Sequence, residues 1–378
     1  MKVCYFGTFE EKYPRNLTFI NGLKNANVSI QVCHGSLKAD KASIGSLSYL
    51  IKLAFLYIKA YTLLIFRAIT IRCDAVIIGY PSHIDVVIFY PIFKMRGIPV
   101  FFNPLVSLYD TFVDDRMLFK KSSFVAKLIY FIDKLSFMLP EKVFIDTKTH
   151  AKYLASFLKI PEDKFCVVPV GALEQFFSQQ QAVEKADGFQ ILYCGKYIPL
   201  HSVETIVFAA KILEEDTEIK FKLIGTGQEY KKIRNLVSDN NIKNIEFIDW
   251  MEPDQLAVEI QRSHIVLGIF KKGGKASRVI PNKVYDALAA GAIVVTEESE
   301  AVKEVFQDGQ HLFLVEPENP KKLAEKIEWI KRHYETALLV AEKGREAVFC
   351  FANTEKIGRL VKEEIQKILS LKGVVKKV

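Results

Sequence analysis

The chain has 378 residues, half of them apolar and a quarter charged. That is enough for two full-sized domains with their own cores, and too ordinary a composition for a disordered or fibrous protein. The net charge of +8 lies wholly in the front half, where residues 1–175 hold 22 Lys and Arg against 14 Asp and Glu, while residues 176–378 hold 30 against 30.

Such a field suits an anionic surface, whether membrane, lipid phosphate or nucleic acid. The basic residues are spread out and form no recognisable reading module, which argues against a nucleic-acid partner. The six cysteines are scattered and include no C-x-x-C pair, so buried reduced thiols in a cytoplasmic protein are expected rather than disulfides or a metal site. MKVCYFGTF at the start lacks a basic stretch followed by an apolar run, and no signal peptide is expected. There is no low-complexity tract and no repeat.

In chain order, KVCYFG is a short apolar run ending in glycine, residues 16–25 read as helix, and VSIQVCHG is a second strand. DAVIIGYP, PVFFNP, KVFIDT and FCVVPVG follow, with helical segments between most of them. Continuous apolar strands separated by helices imply a parallel sheet covered on both faces.

Residues 46–71 are long enough to cross a bilayer, but Lys52, Lys59 and Arg67 interrupt them. The three cations fall on one face of a helix. This predicts an amphipathic helix or helix pair, either a core helix with a solvated basic stripe or one in peripheral contact with an anionic membrane, rather than a span.

Residues 171–190 lose periodicity and hold the expected interdomain linker. The strand–helix rhythm then restarts with ILYCG, FKLIG, IEFIDW, HIVLGIF, AIVVT and HLFLVEP. The whole predicts an α/β protein of two Rossmann-like, doubly wound lobes facing each other across a cleft. The expected boundaries are 1–172 for a basic, acceptor-binding front lobe, 173–188 for the linker, 189–352 for the rear lobe, and 353–378 for a helix returning to the front lobe. Ligands of such sheets sit beyond the strand C-terminal ends.

IPNKVYDALAAGAIVVT, residues 280–296, opens a helix with polar residues and stops it at Gly291. Asn282, Lys283 and Asp286 are spaced to share one face of that helix. The preceding KKGGKASR is Gly-rich and cationic, so free helix amides plus cations make an anion site. Asp286, one turn in, suits a ribose diol, and phosphate plus sugar hydroxyls means a nucleotide; an ordinary capped helix with a surface Asp is the alternative. Upstream, Gly195 and Lys196 end a strand with His201 before the next helix, and Gly225-Thr226-Gly227 ends another. Glycines there let a ligand approach the backbone.

These pieces resemble glycosyltransferase family 4, retaining enzymes of the GT-B architecture that use nucleotide sugars. The family's G-R-x-x-x-x-K-G segment is similar to Gly195, Lys196, His201 and Ser202. Its G-x-G is similar to Gly225-Thr226-Gly227, and its Glu, seven residues, Glu-Ala motif to Arg278 through Asp286-Ala287. The linker PVGALEQFF is similar to P-x-G-x-x-x-x-x-F. Three positions depart: Arg278 stands for the first glutamate, Asp286 for the second, and His201 for the lysine.

The resemblance implies a hexosyltransferase that needs no metal and no cofactor beyond its nucleotide-diphosphate sugar. Lys196, Arg278, Lys283 and helix amides would stabilise the leaving diphosphate. On the acceptor side the candidates are Gly7, Thr8, Arg15 and Asn16 after the first strand, Asp110, Asp114, Asp115 and Arg116 after the fourth, and Asp146 after the fifth, with Asp110 the catalytic candidate. The basic front lobe beside an amphipathic segment favours a lipid-linked or membrane-borne glycan acceptor, as in cell-envelope polysaccharide synthesis at the inner face of the cell membrane. A nucleotide-sugar epimerase of the same architecture and a nucleotide-binding homologue without activity are the competing readings.

Overall fold

A computed structural model describes residues 1–36, 47–177 and 183–373, the side chains of 47–54 excepted. Ser46 of the expected amphipathic segment, residues 178–182 of the expected linker and residues 374–378 lie outside the described residues.

The front lobe runs β1 (Lys2–Gly7), α1 (Pro14–Asn25), β2 (Ser29–His34), α2 (Leu47–Thr70), β3 (Ala75–Ile78) and α3 (His83–Met95). It continues with β4 (Val100–Phe102), α4 (Phe124–Met138), β5 (Lys142–Ile145), α5 (Lys148–Leu158) and β6 (Phe165–Val167). The short α6 (Glu174–Phe177) then leads towards the rear lobe.

That lobe holds β7 (Phe189–Cys194), α7 (Val203–Ile212), β8 (Ile219–Ile224), α8 (Tyr230–Asp239), β9 (Ile245–Ile248) and α9 (Pro253–Arg262). After it come β10 (Ile265–Leu267), α10 (Asn282–Ala289), β11 (Ile293–Glu297), α11 (Glu300–Lys303) and β12 (Phe313–Val315). Three helices close the described chain: α12 (Pro320–Arg332), α13 (Tyr334–Phe351) and α14 (Thr354–Leu371).

Each lobe carries one six-stranded sheet, ordered β2-β1-β3-β4-β5-β6 in front and β12-β11-β10-β7-β8-β9 behind, and every named strand pair is parallel. The alternation of strand and helix produces this, because a parallel neighbour needs a crossover. All four residues of β3 and all three of β4 are buried. Helices on both sheet faces remove both sides of these strands from water, which is why they read as unbroken apolar runs.

The segment expected to be amphipathic forms one helix, α2. Ala60, Leu64 and Ala68 turn inward, while Lys59 and Arg67 are exposed. No helix among the described residues is long and apolar enough to cross a membrane.

The last helix packs on the front lobe. Ile357, Val361, Ile365 and Leu369 share a core with Val3, Tyr5, Phe19 and Leu23. The crossing of α14 over α1 is close enough that a Cβ on Gly358 would overlap the Gly22 carbonyl. Lys362 Nζ donates to the Ala26 carbonyl at 2.8 Å across the same contact. Where the chain crosses between lobes its two passages touch, the Ala172 amide donating to the Ala352 carbonyl at 3.2 Å.

Candidate active site

The rear side of the cleft is built where β7, β8 and α10 converge. Val284, Ala287 and Leu288 anchor α10 in the rear core, which turns Lys283 and Asp286 the other way. Lys283 Nζ is buried with no hydrogen-bond partner. It lies 3.9 Å from the centre of the Tyr193 ring and directly against Gly195, where a Cβ would collide with it. Burial lowers its pKa to about 7. Asp286 moves the opposite way: burial raises its carboxyl to about 8, and only the Leu173 amide opposes this. Neither group has a compensating charge beside it, so each is drawn towards its neutral form.

The two glycine motifs lie against each other. A Cβ on Gly225 would overlap the Gly195 carbonyl, and one on Gly227 would meet the Tyr197 backbone at 2.6 Å. Tyr197 N donates to Thr226 O at 3.0 Å and Glu229 N donates to Tyr197 O at 2.9 Å. These glycines are required for loop-on-loop packing, a reason different from the ligand approach expected of them. Lys196 extends exposed from the same strand end, and Asn282 is the first residue of α10.

His201 does not stand in for a phosphate-binding lysine. Its Nδ1 lies 2.6 Å from the Lys196 carbonyl and 2.7 Å from the Tyr193 hydroxyl. Burial, with Lys283 beside it, holds its pKa well below the usual histidine value. With Nδ1–H donating to that carbonyl, the neutral ring carries a lone pair at Nε2, which repels a phosphate oxygen.

The front side of the cleft centres on the turn Asp110–Asp115, whose start is fixed by the Asp110 amide donating to Ser107 Oγ at 3.0 Å. Arg278 Nη2 donates to Asp110 Oδ1 at 2.8 Å, and its guanidinium lies 3.6 Å from the centre of the Tyr153 ring. Arg278 Nε and Asp110 Oδ2 are buried without partners. The Arg278 carbonyl accepts from Thr147 Oγ1 at 2.5 Å. Lys275 Nζ reaches across to Thr111 Oγ1 at 3.1 Å; burial lowers its pKa, with Asp110, Asp115 and Asp146 opposing. Burial raises Asp115, with Lys275 opposing. Asp114 pairs instead with Lys121 at 2.8 Å, and Arg116 lies 5.9 Å from the Phe112 ring centre.

Four of the acceptor-side candidates are framework. Arg15 is fully buried and donates to Asn103 Oδ1 at 2.9 Å and to the Val168 and Pro169 carbonyls at 2.7 and 2.6 Å. Asn16 accepts from the Tyr5 hydroxyl at 2.7 Å and donates to the Glu10 and Tyr80 carbonyls, both at 2.8 Å. Both lie on the inward face of α1 and hold the loops, while Arg15 Nη2 is buried without a partner. The Gly7-Thr8 turn is tied down by Asp85, which accepts from the Thr8 amide at 2.5 Å and hydroxyl at 3.0 Å and from the Tyr61 hydroxyl at 2.6 Å. Asp146 is also buried, paired with His150 Nδ1 at 2.6 Å.

Tyr153, Tyr193 and Asp85 escaped the sequence reading. Tyr153 alone had a signal, an aromatic at the middle of the helix that follows the KVFIDT strand. Among the described residues no group of three or more His, Cys, Asp or Glu is placed to hold a metal ion.

Residues 174–347 match the family model described as Glycosyl transferases group 1. An uncharacterized glycosyltransferase of Methanocaldococcus jannaschii is 28% identical over 155 residues, which cover 41% of this chain and 42% of that protein. Among solved structures, sucrose-phosphate synthase from Thermosynechococcus elongatus superposes with a TM-score of 0.71 at 14% identity, covering 98% of this chain and 99% of the other. HepE of Anabaena, solved with UDP and glucose, gives 0.70 at 12% identity over 97% of this chain and all of the other (100%). The rear lobe is thus similar in sequence to glycosyl transferases of group 1, and the two-lobe fold is similar to that of these solved structures. The match to the archaeal relative spans less than half of that protein's length.

Proposed function

We propose that the chain transfers a hexosyl group from a nucleotide-diphosphate sugar to a glycan acceptor, lipid-linked or membrane-borne, with retention of configuration and without metal. The observation that carries this reading is the buried, unpartnered Lys283 Nζ against Gly195, one turn before Asp286 at the mouth of the same helix. A diphosphate seated there supplies the missing charge for Lys283, and a ribose diol donates to Asp286. That the Anabaena protein was solved with UDP-glucose supports a uridine donor.

In the transfer, the bond between the anomeric carbon and the diphosphate oxygen breaks and the diphosphate leaves with the electron pair. The acceptor oxygen bonds to the same carbon, and its proton passes to the leaving phosphate. Lys283, Lys196 and the first amides of α10 stabilise the growing negative charge. Arg278 reaches the donor only after releasing Asp110, so closure of the cleft on substrate involves exchange of that pair. The chain would act at the inner face of the cell membrane.

A panel of nucleotide diphosphates and their sugars, scored by thermal stabilisation, tests the reading. A ligand at a hundred times its Kd adds about 2.7 kcal/mol, and transfer with the binding donor should survive EDTA. No stabilisation by any member overturns it. The Arg278–Asp110 pair also favours a second reading, a nucleotide-binding homologue without transfer, since it occupies the residue that stands where the family has its first glutamate. Donor binding with neither hydrolysis nor transfer in single turnover would select it.

A further inference from the structure

The outer side of the front lobe carries apolar side chains that no part of the described chain covers. Helices α2, α3 and α4 lie in one layer over one sheet face, sharing a core that includes Leu64, Phe89 and Phe137. Each has a second apolar stripe facing away from that core. On α2 it is Phe55, Ile58, Phe66 and Ile69, with Phe55 65% and Phe66 62% exposed. On α3 it is Ile84, Ile88 and Met95. On α4 it is Phe124, Leu128, Phe131 and Met138, Phe124 being 79% exposed. Spacings of three, four, seven or eight residues keep each stripe on one side of its helix. More than half of the exposed large apolar side chains among the described residues sit on these three helices, a concentration that a free monomer surface does not carry.

Charge selects the occupant. The only acids in α2, α3 and α4 are Asp85 and Asp133, and both are buried. Asp85 faces Thr8 and Tyr61, and Asp133 accepts from Ser107 Oγ and the Leu108 and Tyr109 amides. The outer face therefore presents Lys59, Arg67 and Lys127 with no carboxylate from these helices beside them. A second copy docked here by a two-fold axis would set cation against cation.

We infer that this three-helix face is a docking surface for an anionic lipid bilayer. The apolar stripes enter the acyl boundary while the lysines and arginines meet lipid phosphates. The chain lies on the membrane, since none of these helices spans it. The inference extends the reading of a membrane-borne acceptor by assigning the surface. Its test needs no transfer assay, so the two fail separately.

The test is flotation of the full chain with vesicles of phosphatidylcholine alone and of phosphatidylcholine mixed with phosphatidylglycerol. Binding is expected to the mixed vesicles and to weaken with salt. The double variant Phe124→Ser/Phe131→Ser should lower partitioning on the order of tenfold or more, as should Arg67→Glu/Lys127→Glu. Both should keep the thermal response to UDP. Because the charge variant removes no buried contact, it decides the matter if the apolar one fails to fold. Equal binding to both vesicle types, no binding to either, or partitioning unchanged in the folded variants would overturn the inference. So would self-association that the Phe substitutions abolish without any vesicle binding.

Discussion

Arg278 of the rear lobe donates to Asp110 of the front lobe at 2.8 Å while lying over the Tyr153 ring, so the residue that departs most from the family pattern spans the cleft. Asp110 is almost fully buried and Arg278 is 14% exposed at the side chain. Asp110→Ala leaves the guanidinium without its carboxylate and should cost roughly 2 kcal/mol, below the range for wholly buried pairs. Urea unfolding should show this, with Asp110→Ala/Arg278→Met recovering part of the loss. UDP binding should persist in Asp110→Ala. An unaltered midpoint would mean that the pair does not hold the lobes.

Lys283 predicts a proton-coupled grip on the diphosphate. Burial lowers its pKa to about 7, and a bound diphosphate would raise it. At pH 8, binding therefore takes up a proton, and affinity falls as pH rises above about 7, by up to about tenfold per unit. Below pH 7 the lysine is already charged and the dependence fades. Calorimetry in buffers of different ionisation enthalpy should detect the uptake in the native chain and find it absent in Lys283→Met.

Asp286 carries the opposite signature. Its folded pKa, raised to about 8, lies above its unfolded value, so the folded chain holds an extra proton between about pH 4 and 8. Its contribution to stability is full below that window and lost as pH climbs through it. Asp286→Asn should therefore raise the melting temperature of the unliganded chain at pH 8 while abolishing stabilisation by UDP. A variant that still responds to UDP would move the ribose site off α10.

Both sheets were legible because β3, β4 and their neighbours are buried on two faces and so read as unbroken apolar runs. The site was legible only in part. Asn282, Lys283 and Asp286 follow from helix periodicity, which fixes neighbours within one element. Arg15 and Asn16 misled because sequence shows a polar pair after a strand but not that α1 turns both inward. The meeting of Arg278, Asp110 and Tyr153 depends on how two lobes approach, and no local spacing encodes that.

The crossing of α14 over α1 gives a packing prediction. A Cβ on Gly358 overlaps the Gly22 carbonyl, so Gly358→Val must push the helices apart. It should destabilise the chain by roughly 3 kcal/mol or more, read as a fall in melting temperature. UDP binding by the fraction that remains folded should be unchanged. A silent substitution would show that the two helices do not meet there.

That helix also fixes an order of events during synthesis. Ile357, Val361, Ile365 and Leu369 cover sheet residues that leave the ribosome before any of the rear lobe, Val3 and Tyr5 among them. The first lobe to be made is thus the last to be finished, its greasy flank waiting through the birth of the entire second lobe. Nascent chains stalled before residue 354 should be the ones that chaperones hold.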